Sequence, residues 1–200
     1  MFTNIKFVLA SKSQSRKNIL KKNKLSFSQM SPKCDEEAIK KKLLLQKKTP
    51  RKISQELALS KTKSISRLIK NKIVVGCDTT IDLKGTFIDK AKNKDEAYKK
   101  IKKFSGKEHM IFSSAAAFYN NRLIWKHTQK TKVKIRRLSN KDIREYLKKT
   151  NKNILGSVGC YQIENDGPKI IEKINGDFFN VMGFPLFPFL FFLKKFKTKQ

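Results

Sequence analysis

At 200 residues the chain can bury a real core in one compact domain, and 38% hydrophobic content with fifteen Phe excludes a disordered chain. A formal net charge of +31 points first to an anionic partner, either nucleic acid or a membrane. The cations, however, are overwhelmingly Lys scattered through every segment, and readers of bases and phosphates favour Arg, so a solvated Lys surface is the preferred reading.

Residues 1–9 carry one basic residue and a short apolar run, without the charged start, long apolar stretch and cleavage site of a secretory signal. Residues 5–10 (IKFVLA) read as a buried strand, the polar SKSQS after them as a loop, and 16–22 as a first helix. Residues 25–30 alternate as a second strand, ending at Ser31-Pro32. Helical spacing through Ala38, Ile39 and Leu43 marks 36–46. After a break at Thr49-Pro50, residues 50–69 form a long amphipathic helix with Ile53, Leu57, Ile65 and Leu68 on one side. IVVG at 73–76 is a short inner strand, and 81–83 pairs with 86–88 in a hairpin through Lys84-Gly85. A helix over 94–104 stops at Ser105-Gly106. Strands 109–119 and 123–135 flank an Asn120-Asn121 turn, and Ser139 with Asp142 caps a helix reaching Lys149. The remainder is punctuated by Gly and Pro, with strand structure at 169–174 and a final helix at 186–196. FPLFPFLFFL, which runs into that helix, is about half of the roughly 20 residues that span a bilayer and holds two prolines, so core docking is expected and no membrane partner.

Cys34, Cys77 and Cys160 are far apart and odd in number, with no CxxC pair, which implies reduced thiols and a cytoplasmic protein rather than a disulfide framework or zinc site. Neither GxxxxGK[ST] nor GxGxxG occurs, so both usual nucleotide loops are excluded. A strand followed by Ser11-Lys12-Ser13-Gln14-Ser15 and a helix from Arg16 is either a plain N-cap or an anion cradle of free N–H groups, hydroxyls and a guanidinium. In Val75-Gly76-Cys77-Asp78-Thr79-Thr80 an acid ends a hydrophobic strand, where open α/β sheets gather ligands. Asp78 there either caps a turn, binds a divalent ion or takes a proton from water. The acidic island Cys34-Asp35-Glu36-Glu37 either neutralises a helix start or supplies a second metal carboxylate. Lys61 and Lys90 are intrinsically indistinguishable from the other lysines. Gln162 lies in a Gly-flanked stretch that suits a close backbone approach. His109 and His127 read as structural or surface residues without a ligand role.

In order and spacing these segments resemble the Maf family of nucleoside triphosphate pyrophosphatases, also called septum formation inhibitors. VLASKSQSRKNIL resembles the family's LASxSxxR start, CDEE its acidic pair, and ELALSKT its lysine helix. VVGCDTTIDLKGTFIDKAKNKDEA is similar to its GADT strand and GKP turn, and FSGKEH to its SGR/KxH segment. GSVGCYQIENDGPKIIEKINGDFFNVMGFPL is similar to its closing signature. The GCYQ wording resembles a branch distinct from the thymidine/uridine enzymes. Two departures stand out: Gln14 and Ser15 replace a Pro-Arg, removing a cation, and Ala91 replaces the Pro after Lys90, which is expected to loosen that turn.

The resemblance implies an α/β, Maf/ITPase-like fold: a twisted mixed β-sheet flanked by helices, with two lobes and a central cleft, over residues 1–200 as one domain. It implies hydrolysis of NTP or dNTP, modified nucleotides included, to NMP and pyrophosphate. Ser11, Ser13 and Arg16 would hold the triphosphate and Gln162 would line the cleft. Glu36 and Asp78 would bind Mg2+ or Mn2+, Asp78 would also activate water, and Lys61 and Lys90 would neutralise phosphate charge. A homodimer accords with the family's habit, and no specific nucleic-acid partner is expected. The rival expectations are a basic nucleic-acid-binding protein and a catalytically inactive Maf-like regulator of cell division.

Overall fold

FVLA at Phe7–Ala10 is buried at every position, as an inner parallel strand requires, and it forms β1. In the computed structural model, which describes residues 5–150 and 152–197, β1 pairs in parallel with β2 (Phe27–Met30) and with β3 (Ile73–Leu83). β3 pairs antiparallel with β4 (Thr86–Ile88) and with β5 (Glu108–Tyr119). β5 in turn pairs with β6 (Arg122–Ile135), and β6 with β7 (Ile171–Asn175). The seven strands form one mixed sheet in the order β2-β1-β3-β5-β6-β7, with β4 against β3. Both expected hairpins form through residues in the left-handed region, Lys84-Gly85 and Asn120-Asn121, the backbone that two-residue turns of twisted strands need.

The helices are α1 (Gln14–Lys22), α2 (Glu36–Leu45), α3 (Pro50–Ser66), α4 (Lys94–Phe104), α5 (Asn140–Lys149), α6 (Phe178–Val181) and α7 (Leu186–Lys197). The first five start at Ser13, Asp35, Thr49, Asn93 and Ser139, whose side chains accept a backbone N–H of the first turn. Each such cap contributes about 1 kcal/mol. Ser139 and Asp142 close a reciprocal capping box. α7 docks on the sheet through the fully buried Phe189 and Leu193, with Phe189 edge-on to Phe7. Among the described residues no helix is long and apolar enough to cross a membrane.

The long central strands serve two cores. Ile73, Val75 and Cys77 of β3 join α1 and α7 in one cluster. Ile81 and Leu83 of the same strand join α4, α5 and β7 in another. α3 packs elsewhere on β1 and β3, with Ile65 against Val8, Ala10 and Val74. The two clusters make two lobes along one sheet, and a cleft opens where they meet.

Two expectations are corrected and one element is added. Asp78 does not end its strand: β3 runs unbroken through Cys77–Thr80, because Asp78 and Thr79 pair with Ser114 and Ser113 of β5. α3 ends at Ser66, so Leu68 falls past the helix and is half exposed. α6 is an added element in the Gly/Pro-punctuated tail. Met1–Asn4 of the opening segment lie outside the described residues.

Candidate active site

β1 stops at Ala10, opposite Gly76, while β3 continues, so Asp78 emerges beside the carboxyl end of its parallel neighbour. There the chain turns through Ser11 and Ser13 into α1. The Ser11 hydroxyl accepts the Ser13 N–H at 3.2 Å, and the Ser13 hydroxyl accepts the Arg16 N–H at 3.4 Å. Arg16 is buried, and its guanidinium donates to the Gly183 carbonyl at 2.8 Å, the Thr79 hydroxyl at 3.0 Å and the Ser11 hydroxyl at 3.2 Å. All three acceptors are neutral. Among the described residues no carboxylate pairs with Arg16, so a buried positive charge faces the cleft without a counter-ion.

Across from Arg16, the Lys61 ammonium of α3 lies 2.6 Å from Asp78 Oδ1 and 2.8 Å from Glu36 Oε2. Lys61 is 6% and Asp78 8% exposed, whereas Glu36, in the first turn of α2, is open to solvent on one side. Burial works against the Lys61 charge, but Asp78 and Glu36 outweigh it and hold its pKa above the ordinary lysine value. α3 comes this close because residue 76 is glycine: a Cβ there would stand 2.4 Å from the Thr62 hydroxyl oxygen and 3.0 Å from the Thr62 backbone nitrogen.

Lys90 stands at the rim on the turn after β4. Desolvation of its ammonium, then the charges of Arg16 and Lys61, push its pKa below the ordinary value. On that turn the Asp89 carboxylate accepts the Lys90 N–H at 2.8 Å. The far wall carries Tyr161 and Gln162. Gly159 is required there because the Tyr161 ring fills the place of its Cβ, at 2.4 Å. Tyr161 shares a 2.6 Å hydrogen bond with His109 Nε2, and burial lowers the His109 pKa to about 4. His109 is thus a core residue, while half-buried His127 bonds Gln129.

These groups line one cleft of about 900 Å³. Each residue singled out from the sequence faces it: Ser11, Ser13 and Arg16 at the α1 end, Glu36, Lys61 and Asp78 at the floor, and Lys90 and Gln162 at the far side. Among the described residues no three or more His, Cys, Asp and Glu gather in a metal cage. Glu36 and Asp78 turn one oxygen each to the Lys61 ammonium; their second carboxylate oxygens are hard donors of the kind Mg2+ or Mn2+ takes alongside water and phosphate oxygens. Sequence reasoning missed Thr79, the Gly183 carbonyl, Lys40 and Asp89. Thr79 was visible beside Asp78, but only as part of the turn that was one open reading there, and a backbone carbonyl leaves no sequence signal.

The protein-family model described as Maf-like protein matches residues 6–196. A 7-methyl-GTP pyrophosphatase from Bartonella quintana (strain Toulouse) is 40% identical over 92% of this chain and 91% of its own length. Nucleoside triphosphate pyrophosphatases from Caulobacter vibrioides and Pelagibacter ubique are 37% and 36% identical, covering 93% and 90% of this chain and 93% and 92% of theirs. With the match spanning both lobes and every residue placed in the cleft, the chain belongs to the Maf-like protein family.

Proposed function

We propose that this protein hydrolyses nucleoside triphosphates, NTP or dNTP, to the monophosphate and pyrophosphate, with a divalent ion carried in by the substrate. The observation that carries the reading is two carboxylates meeting on one ammonium in a cleft whose walls hold Arg16 and Lys90, neither of which touches a carboxylate among the described residues. The relatives' names, nucleoside triphosphate pyrophosphatase and 7-methyl-GTP pyrophosphatase, support the same chemistry.

The triphosphate lies against the first N–H groups of α1, the Ser11 and Ser13 hydroxyls and Arg16, whose charge is already desolvated and oriented. Gln162 lines the wall beside the bound nucleotide. Asp78 takes a proton from the water that attacks the α-phosphorus. As the new O–P bond forms, the bond from that phosphorus to the bridging oxygen of pyrophosphate breaks, and the proton passes on to solvent. Lys61 and Lys90 neutralise charge gathering on the departing pyrophosphate. Glu36 and Asp78 would hold Mg2+ or Mn2+, which would supply further neutralisation of phosphate charge. The reading includes one catalytic domain over residues 1–200, cytoplasmic action and a homodimer.

The test is release of pyrophosphate and monophosphate from a panel of common ribo- and deoxyribonucleoside triphosphates and 7-methyl-GTP, with Mg2+ or Mn2+. Turnover that stops on chelation and returns with the ion is the expected result. Release of inorganic phosphate and a diphosphate, or no turnover with any nucleotide, refutes the reading; the latter favours an inactive Maf-like protein.

A further inference from the structure

Lys40, one helical turn after Glu36 on α2, places its ammonium 2.7 Å from Glu37 and 2.6 Å from Asp89. Asp89 lies 49 positions further along the chain, on the turn that carries Lys90, and both Lys40 and Asp89 line the cleft. The contact therefore ties the helix bearing Glu36 to the turn bearing Lys90. The second carboxylate oxygen of Asp89 accepts the Lys90 N–H at 2.8 Å, and its carbonyl accepts a bond from Lys100 of α4. The same Lys100 ammonium reaches the Val158 carbonyl at 3.3 Å, on the wall next to Tyr161. Asp89, with Lys100 as its link to Val158, thus joins three sides of the cleft.

We propose that Asp89 is a positioning residue for triphosphate binding: clamped by Lys40, it sets the gap between α2 and the β4–α4 turn and aims Lys90 inward. This rests on the function proposed above. Burial works against the Asp89 charge, yet the bonds from Lys40 and from the Lys90 N–H outweigh it and hold the carboxyl below its usual range. The Lys40 and Asp89 side chains are 13% and 52% exposed, and an ion pair with one partner in water contributes little to global stability. Its effect is local, on where a phosphate-facing ammonium sits, and small misplacements of such groups are costly.

The experiment compares Lys40→Met, Asp89→Asn, their double variant and Lys40→Arg with the wild-type protein. Each of the first two is expected to raise KM for the triphosphate about fivefold, the reach of one partly exposed pair, with kcat little changed. The double variant should be no worse than either single change, because they break the same contact. Lys40→Arg, which keeps the pair, should restore KM. Amide hydrogen exchange over residues 88–92 should quicken in the Met and Asn variants while the melting temperature holds. Wild-type turnover with unchanged KM in both single variants, or with additive effects in the double, overturns the proposal and leaves the functional reading intact. Absence of triphosphate turnover in the wild-type protein overturns both.

Discussion

Lys61 Nζ lies 2.6 Å from Asp78 Oδ1, with both residues more than nine-tenths buried. A carboxylate in the middle of a sheet persists only with a partner that meets its charge, and α3 supplies one from the layer above. The same nitrogen holds Glu36, so one lysine organises two of the cleft's acids.

If Asp78 takes the proton of the attacking water, Asp78→Asn removes a general base while keeping shape and hydrogen-bonding capacity. The expected outcome is a loss of at least about 100-fold in kcat. Pyrophosphate release under saturating substrate checks it, and turnover equal to wild type would exclude the role.

Lys61→Met leaves Asp78 buried without its counter-ion. Breaking a buried pair from one side costs about 3 kcal/mol, so urea unfolding at neutral pH should show a loss of that order. Because the folded pKa of Lys61 is raised above 10.5, its stabilisation is complete below that pH and fades as pH rises through the folded value. The gap between wild type and Lys61→Met should therefore close in strongly alkaline solution. A gap that persists there would show that the methionine acts through packing.

His109 sets the acid side. Its pKa falls from 6.5 in the unfolded chain to about 4 in the folded protein because the ring is buried. The unfolded state therefore binds more protons between those values. The corresponding stability is complete above pH 6.5 and lost as pH falls towards 4, a swing of about 3 kcal/mol. His109→Gln should flatten the fall in melting temperature across that window. A variant with the wild-type slope would assign the acid sensitivity elsewhere.

Gly76→Ala should push α3 away from β3, since the new methyl meets Thr62, the neighbour of Lys61, at backbone as well as side chain. Overpacking of this kind costs about 2 kcal/mol. Activity should fall more than stability alone explains, because Lys61 and Asp78 separate. Equal activity per folded molecule would argue that α3 moves without disturbing the pair.

Element type and order were legible because they rest on local physics. Apolar spacing marked α2 and α3, the Lys84-Gly85 and Asn120-Asn121 pairs marked turns, and Ser139 with Asp142 marked the start of α5. The motif order also marked Ser11, Ser13, Arg16, Glu36, Lys61, Asp78, Lys90 and Gln162, all of which line the cleft. What the sequence could not convey was non-local. Asp-Thr-Thr has the composition of a turn, and only the pairing of Asp78 and Thr79 with Ser114 and Ser113 keeps β3 extended through it. Lys61 looks like every other lysine until α3 lies on β3, and the Lys40–Asp89 contact exists only because α2 faces the turn after β4. Residue type and periodicity act over a few positions and are written in the chain. Which charge ends up desolvated beside which partner is decided when distant segments pack, because that packing alone sets the local dielectric and the distances.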